Sequence, residues 1–471
     1  MSEYLPEEVL IEIFLKLPTN SIIQCTSVCK SWYSLITTPN FISLHLKNQE
    51  NHLLVRHCSG KPVKEIYALF FDNDNFDKYV QFDFPFECET HFNIVGSCNG
   101  LVFLSDDLSS YLDRYYIWNP SIRKSVKLPE PIFTYERYGP FDHTLGFGFD
   151  HVANDYKVVR IVHTGDYING VPPYVELYKL STGVWQDISR VSPCYKIYKE
   201  EPGVYVNGAC HWVAAKRKKG ESRNMMIVLF DVKDEMFCEM MVPDSLVVTF
   251  GFSAHWFDLF VSEESLCLAN RLFDDDKTID IWRMKKYGDP ESWVKQFSIS
   301  LSHISFNVGV DDEYFSLFHG GRQRQVAHFL DKPIGSRKNG EILWRADNGL
   351  LVSYDIAAEK IENLGICNAN YLPYRDALYV NTYKVSLILL DKRTDCFPGD
   401  TCEESSNLCK RKPKGGRKAL KGNTKRRLQI LFHLHISGLM YMSKMKAKRL
   451  RMIKQKNKKV QRFQADNGDL V

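Results

Sequence analysis

Very few side chains in this 471-residue sequence fall at spacings that could carry out chemistry. Cys25 and Cys29 stand one helical turn apart, with His45 further on, and could be imagined around a metal. No Cys-x-x-Cys pair occurs, however, and no histidines take the His-Glu-x-x-His or zinc-ligand spacing. Asp274-Asp275-Asp276 and Asp311-Asp312-Glu313 are acidic enough for calcium but lack the alternating oxygen ligands of a calcium loop, so they read as solvated turns. Gly146-Phe147-Gly148 lacks the third glycine of a dinucleotide fingerprint. No Walker loop and no Gly-x-Ser-x-Gly elbow is present. The sequence therefore predicts no catalytic residue, no metal site and no cofactor.

The elements that would position a recognising surface begin at the N-terminus. Val9, Leu10, Ile13, Phe14 and Leu17 recur at helical spacing. Pro6, Glu7 and Glu8 suit a helix start. Pro18 ends this helix, and Thr19, Asn20 or Ser21 can cap a second. Val28, Trp32, Leu35 and Ile36 give another apolar stripe, and Phe41, Leu44 and Leu46 follow Thr38-Pro39-Asn40. Three short helices and a fourth fragment thus fall within about fifty residues, a unit too small to bury much surface by itself.

From roughly 52 to 395 the pattern changes to short apolar and aromatic clusters separated by Gly, Asn, Asp and Pro turns, which predicts β structure. A loose repeat is visible. One element is glycine-centred: Gly96–Leu104, Val206–Val213 and, weakly, Gly340–Trp344. The other is a β run at Tyr116–Pro120, Val175–Tyr178, Ile227–Asp231, Ile279–Trp282 and Leu351–Asp355. Its starts lie about fifty to seventy residues apart, the scale of a four-stranded propeller blade. Large apolar residues on both strand faces suit sheets packed on both sides. A sandwich is the alternative, although the region is long for one.

Composition divides the chain a third time. The net charge of +4 conceals 20 Lys and Arg, and no Asp or Glu, between Lys410 and Arg462, so the preceding body is acidic. The extension 396–471 admits three readings: a nuclear-import signal, nonspecific contact with nucleic acid or an anionic surface, and a solvated disordered tail. Leu428–Phe432 and Leu439–Met442 allow a short helix within it. No stretch is long and apolar enough to predict a membrane span. The scattered cysteines and the absence of an N-terminal leader pattern predict free thiols and a cytoplasmic or nuclear setting.

Leu5-Pro6, Glu12-Ile13-Phe14, Leu17-Pro18 and Val28-Cys29-Lys30-Ser31-Trp32 resemble the F-box motif. Gly96-Ser97-Cys98-Asn99-Gly100-Leu101, Trp118-Asn119-Pro120-Ser121, Phe147-Gly148-Phe149-Asp150 and Asp155–Arg160 resemble the F-box-associated, Kelch-related domain of plants. The resemblance implies a multidomain chain: a small α-helical F-box over 1–46, an all-β, propeller-like receptor over 52–395, and the basic tail. It further implies that Leu5, Pro6, Leu10, Ile13, Leu17, Pro18, Val28, Cys29 and Trp32 meet a Skp-type adaptor, which in turn binds a cullin. The β domain would hold an unidentified protein substrate, making the chain a non-catalytic subunit of a ubiquitin ligase. The alternative is a Kelch-like interaction scaffold outside any ligase, its N-terminal helices capping the ring.

Overall fold

The computed structural model describes residues 6–59, 64–84, 92–106, 113–138, 141–164, 172–192, 195–197, 203–216, 224–242, 246, 257–271, 278–300, 330–346, 349–367 and 378–390. Leu5, the acidic runs at 274–276 and 311–313 and the basic extension lie outside the described residues.

Four helices come first: α1 (Glu7–Leu15), α2 (Thr19–Cys25), α3 (Lys30–Ile36) and α4 (Pro39–Lys47). Pro18 is extended (φ −58°, ψ 146°) and directly precedes α2, so Thr19 is the first helical residue rather than the cap expected from sequence. Thr38 does cap α4, its Oγ1 accepting from the Phe41 amide at 3.2 Å. Phe14, Ile22, Leu35, Ile36 and Phe41 are the helices' buried contribution to one apolar core. Trp32 and Phe41 meet the Phe14 ring edge-on, with centroids 5.0 and 6.2 Å away.

His45 of α4 is fully buried beside Thr19 Oγ1 (3.5 Å) and Gln49 Nε2 (3.3 Å). Burial pushes its pKa down to about 4. An unfolded histidine titrates near 6.5, so between those values the unfolded chain binds more protons than the folded one. The helices should therefore keep their full stability above about pH 6.5 and lose about 2 kcal/mol from this group by pH 5. Hydrogen exchange of the α4 amides at pH 7 and pH 5 checks this. A His45→Leu chain should show a flatter dependence, and an equal one would disprove the assignment.

Six antiparallel sheets follow. β1 (Asn51–Ser59), β2 (Lys64–Phe70) and β3 (Lys78–Phe82) are the second to fourth strands of blade I. Blade II holds β4 (Phe92–Cys98), β5 (Leu101–Asp106), β6 (Tyr115–Asn119) and β7 (Lys124–Lys127). Blade III holds β8 (Asp142–Asp150), β9 (Asp155–His163), β10 (Tyr174–Lys179) and β11 (Val184–Asp187). In blade IV, β12 (Lys196–Ile197) and β13 (Val204–Val206) both pair with β14 (Ala209–Lys216), ahead of β15 (Asn224–Asp231) and β16 (Met236–Met240). Blade V comprises β17 (Phe257–Ser262), β18 (Ser265–Arg271), β19 (Thr278–Met284) and β20 (Trp293–Ser300). Blade VI comprises β21 (Leu330–Ser336), β22 (Ile342–Ala346), β23 (Leu350–Asp355) and β24 (Lys360–Cys367). β25 (Tyr379–Lys384) then returns to pair with β1 as the first strand of blade I. The first strands of successive blades are neighbours all the way round, so the protein is a six-bladed propeller closed by strands from both ends of the ring.

Each pair of adjacent blades shares an apolar cluster, which is why strands such as β5 and β9 are buried along their whole length. Along β1, Leu53 and Val55 face blade VI while Leu54 faces blade II. The β runs recognised in the sequence are the third strands of blades II to VI. The glycine-centred elements lie at the first-to-second strand connections of blades II, IV and VI. Asn99-Gly100 (φ 51°, 80°) and Asn207-Gly208 (φ 50°, 79°) turn two of these hairpins with both residues left-handed, the conformation their sequences favour.

Candidate adaptor and substrate interfaces

The stripe on α1 divides into two. Phe14 is buried and Leu10 and Leu17 are half-buried against it, whereas Val9 and Ile13 remain 39% and 43% exposed. The separation follows the spacing: 10, 14 and 17 align on the core side, while 9 and 13 align on its flank. Val28, expected on the second stripe, sits instead in the turn before α3 and is 62% exposed. Cys29 occupies the N-cap position of α3 rather than a helix face, with its Sγ 3.1 Å from Ser31 Oγ. Hydrogen bonding to Ser31 holds its thiol below the ordinary pKa. Pro6 and Pro18 are exposed, Trp32 is half-buried, and Cys25 is a half-buried member of the helical core. Val9 and Tyr33, the latter 47% exposed, were not among the residues expected to meet a partner.

Strand direction places the helices at one end of the propeller. α4 leads through residues 48–50 into β1, whose first residue, Asn51, pairs with Lys384 at the end of β25. At this end the first-to-second strand turns are tight, as at 99–100, 151–154, 207–208 and 263–264. At the opposite end lie the second-to-third strand and blade-to-blade connections, among them the described residues 113–114, 128–138 and 172–173.

On the helix side, a cavity of about 440 Å³ is lined by residues that include Asp150, Lys157, Lys179, Ser181, Asp234 and Glu235. Lys157 Nζ donates to Asp150 Oδ2 (2.8 Å), Glu235 Oε1 (2.7 Å) and the Val232 carbonyl (2.8 Å), and Lys179 also reaches Glu235. Burial opposes the charge on Lys157, but its two carboxylate partners outweigh that and raise its pKa. The contacts of Lys157 and Lys179 with Val232 and Glu235 join blades III and IV at this wall.

The opposite end is organised around Arg160 of β9. Its guanidinium pairs with Glu176, with Asp113 Oδ1 at 2.7 Å and with the Phe133 carbonyl at 2.7 Å. Glu176 Oε2 accepts from the Ile132 amide at 2.7 Å. One buried cation thereby ties the approach to β6, the blade II–III connection and β10 together. Beside it, Tyr174 stacks on Phe133 at 4.4 Å, and Tyr138 and Tyr174 are left 46% and 36% exposed.

Comparison with known families matches residues 3–44 to the F-box domain and residues 60–374 to the F-box associated beta propeller domain. The chain belongs to the F-box-associated β-propeller family. F-box protein At3g07870 of Arabidopsis thaliana is 29% identical over 386 residues, covering 77% of this chain and 87% of that protein. F-box protein CPR1, from the same plant, is 27% identical over 393 residues, covering 78% and 86%. Among solved structures, an α-L-arabinofuranosidase from Lactobacillus brevis aligns with a TM-score of 0.29 at 9% identity, over 62% of this chain and 89% of that one, too slight a likeness to bear on activity. An F-box implies a Skp-type adaptor as partner, and F-box proteins in general select substrates without catalysing a reaction. No helix among the described residues of this F-box protein is long and apolar enough to cross a membrane.

Proposed function

We propose that this chain is the substrate-recognition subunit of a Skp–cullin–F-box ubiquitin ligase, with residues 1–46 as the adaptor module and 52–395 as the receptor. The observation that carries the reading is the pair Ile13 and Val28, large apolar side chains left in solvent on a helical unit whose core is already closed. Pro6, Val9, Pro18 and Tyr33 are exposed on the same unit, and Leu10, Leu17 and Trp32 support it from beneath. The adaptor covers that surface and links the chain to a cullin. A target protein held at the opposite end of the propeller is thereby kept near a ubiquitin-loaded conjugating enzyme. The gain is one of effective concentration, with no bond made or broken by this chain.

The test is capture of a purified plant Skp-type adaptor by the full chain and by Ile13→Asp/Val28→Asp. Both positions are exposed, so the variant should melt like the parent yet bind the adaptor at least a hundredfold more weakly. A folded parent that fails to bind would overturn the proposal.

A further inference from the structure

Past β25 the chain stays against the propeller. Asn119 Nδ2 donates to the carbonyls of Ser386 (3.0 Å) and Ile388 (2.8 Å), and Lys124 Nζ donates to the Leu390 carbonyl at 2.7 Å. Just before the strap, Tyr383 Oη donates to the Gly100 carbonyl at 3.0 Å and lies 2.7 Å from Ser121 Oγ. The leucines of 385–390 then part in two directions. Leu389, at φ 73°, joins Phe103, Leu128 and Tyr156 between blades II and III. Leu387 and Leu390 join Phe14, Ile22, Ile36 and Phe41 in the helical core, with Ile122 of the blade II turn packed against the same cluster. A leucine in the left-handed region is uncommon and persists only where its surroundings over-determine it. Here the backbone reversal lets neighbouring leucines serve two different cores.

We infer that the strap 385–390 is a working part of the F-box: it completes the helical core and fixes the direction of the adaptor-binding surface relative to the receptor. Among the described residues that core has seven buried side chains, five from the helices and two from the strap. A helical unit this small is marginal without them. The two attachments are also adjacent, because the helices enter the propeller at Asn51 and the strap leaves at its ladder partner Lys384. An adaptor-competent F-box therefore forms only once β25 has closed the ring, so a chain whose receptor is incomplete does not enter a ligase. Leu387, Leu390 and Ile122 are positioning residues in this scheme, acting through the helices they support.

The inference rests on the adaptor-docking reading, and the test separates the two. In the full chain, Leu387→Ala/Leu390→Ala should weaken adaptor binding tenfold or more and speed amide exchange in residues 7–47 by a similar factor, with exchange in β4 to β24 unchanged. Leu387→Met/Leu390→Met should restore both to within about twofold of the parent, because methionine refills the volume. Leu390→Ala alone supplies a milder change, and Leu389→Ala should loosen blades II and III instead. Parental exchange and binding in the alanine pair would overturn the inference, as would exchange rising equally in helices and ring. A parent that does not bind the adaptor would sink the functional reading, and the exchange measurement would still decide the strap.

Discussion

Arg160→Met should cost the propeller about 3–5 kcal/mol, because it leaves two carboxylates buried without their cation. Glu176 is fully buried and the Asp113 side chain nearly so. Burial raises the pKa of both acids, while Arg160 pulls against that rise. Without the guanidinium, both carboxyls should move further up. A carboxyl whose folded pKa is raised penalises the fold above that pKa and is relieved as the pH falls through it. The variant should thus recover part of its stability between pH 7 and pH 5, and Glu176→Gln should recover part at neutral pH. Urea unfolding with a pH series and the corresponding double-mutant cycle measure this. A loss under 1 kcal/mol, or one independent of pH, would show that Arg160 is not the organising charge. The effect should reach function, since the three segments it ties lie at the end proposed to hold the substrate.

The blade repeat was legible wherever local sequence dictates it. Asn-Gly hairpins and dense third strands announce themselves without reference to the rest of the chain. Blade number was not legible, for two physical reasons. Blade I is assembled from both ends of the ring, so β1 stands with no first strand before it; that strand is β25, more than 300 residues later. Blade IV opens with two short pieces, β12 and β13, in place of one continuous strand.

The candidate surfaces were legible in part. Spacing along residues 9–17 could have separated the exposed pair Val9 and Ile13 from the core-facing line through Leu10, Phe14 and Leu17. Nothing local marks Val28 as a turn residue, because its place depends on where α3 starts. Lys157 and Arg160 are the harder case. In the run from Asp155 to His163 they look like the solvent-facing charges of a strand, yet every residue of β9 is buried. Their partners, Asp150 and Glu235 for the lysine and Asp113 and Glu176 for the arginine, arrive from other strands and turns, which no periodicity encodes.

Gly100→Ala should be the most damaging single-methyl change in the ring closure, at about 2–5 kcal/mol. Two costs coincide there. Gly100 has φ +80°, where an L-residue is strained. An added Cβ would also lie 2.5 Å from the Lys384 carbonyl oxygen and 2.5 Å from Ser386 Cβ. The carbonyl belongs to the ring-closing strand and Ser386 to the strap, so neither can retreat without disturbing blade I or the seat of the helices. Gly183→Ala isolates the first cost: its φ is +72°, but nothing lies within 4 Å of the added Cβ, so about 1–2 kcal/mol should be lost. Urea midpoints at equal slope give the comparison, and adaptor capture gives its functional counterpart. Gly100→Ala should lose both stability and adaptor binding, whereas Gly183→Ala should lose only a little stability. Equal losses in the two variants would mean that the strap can shift freely and that the helices are held by residues 48–50 alone.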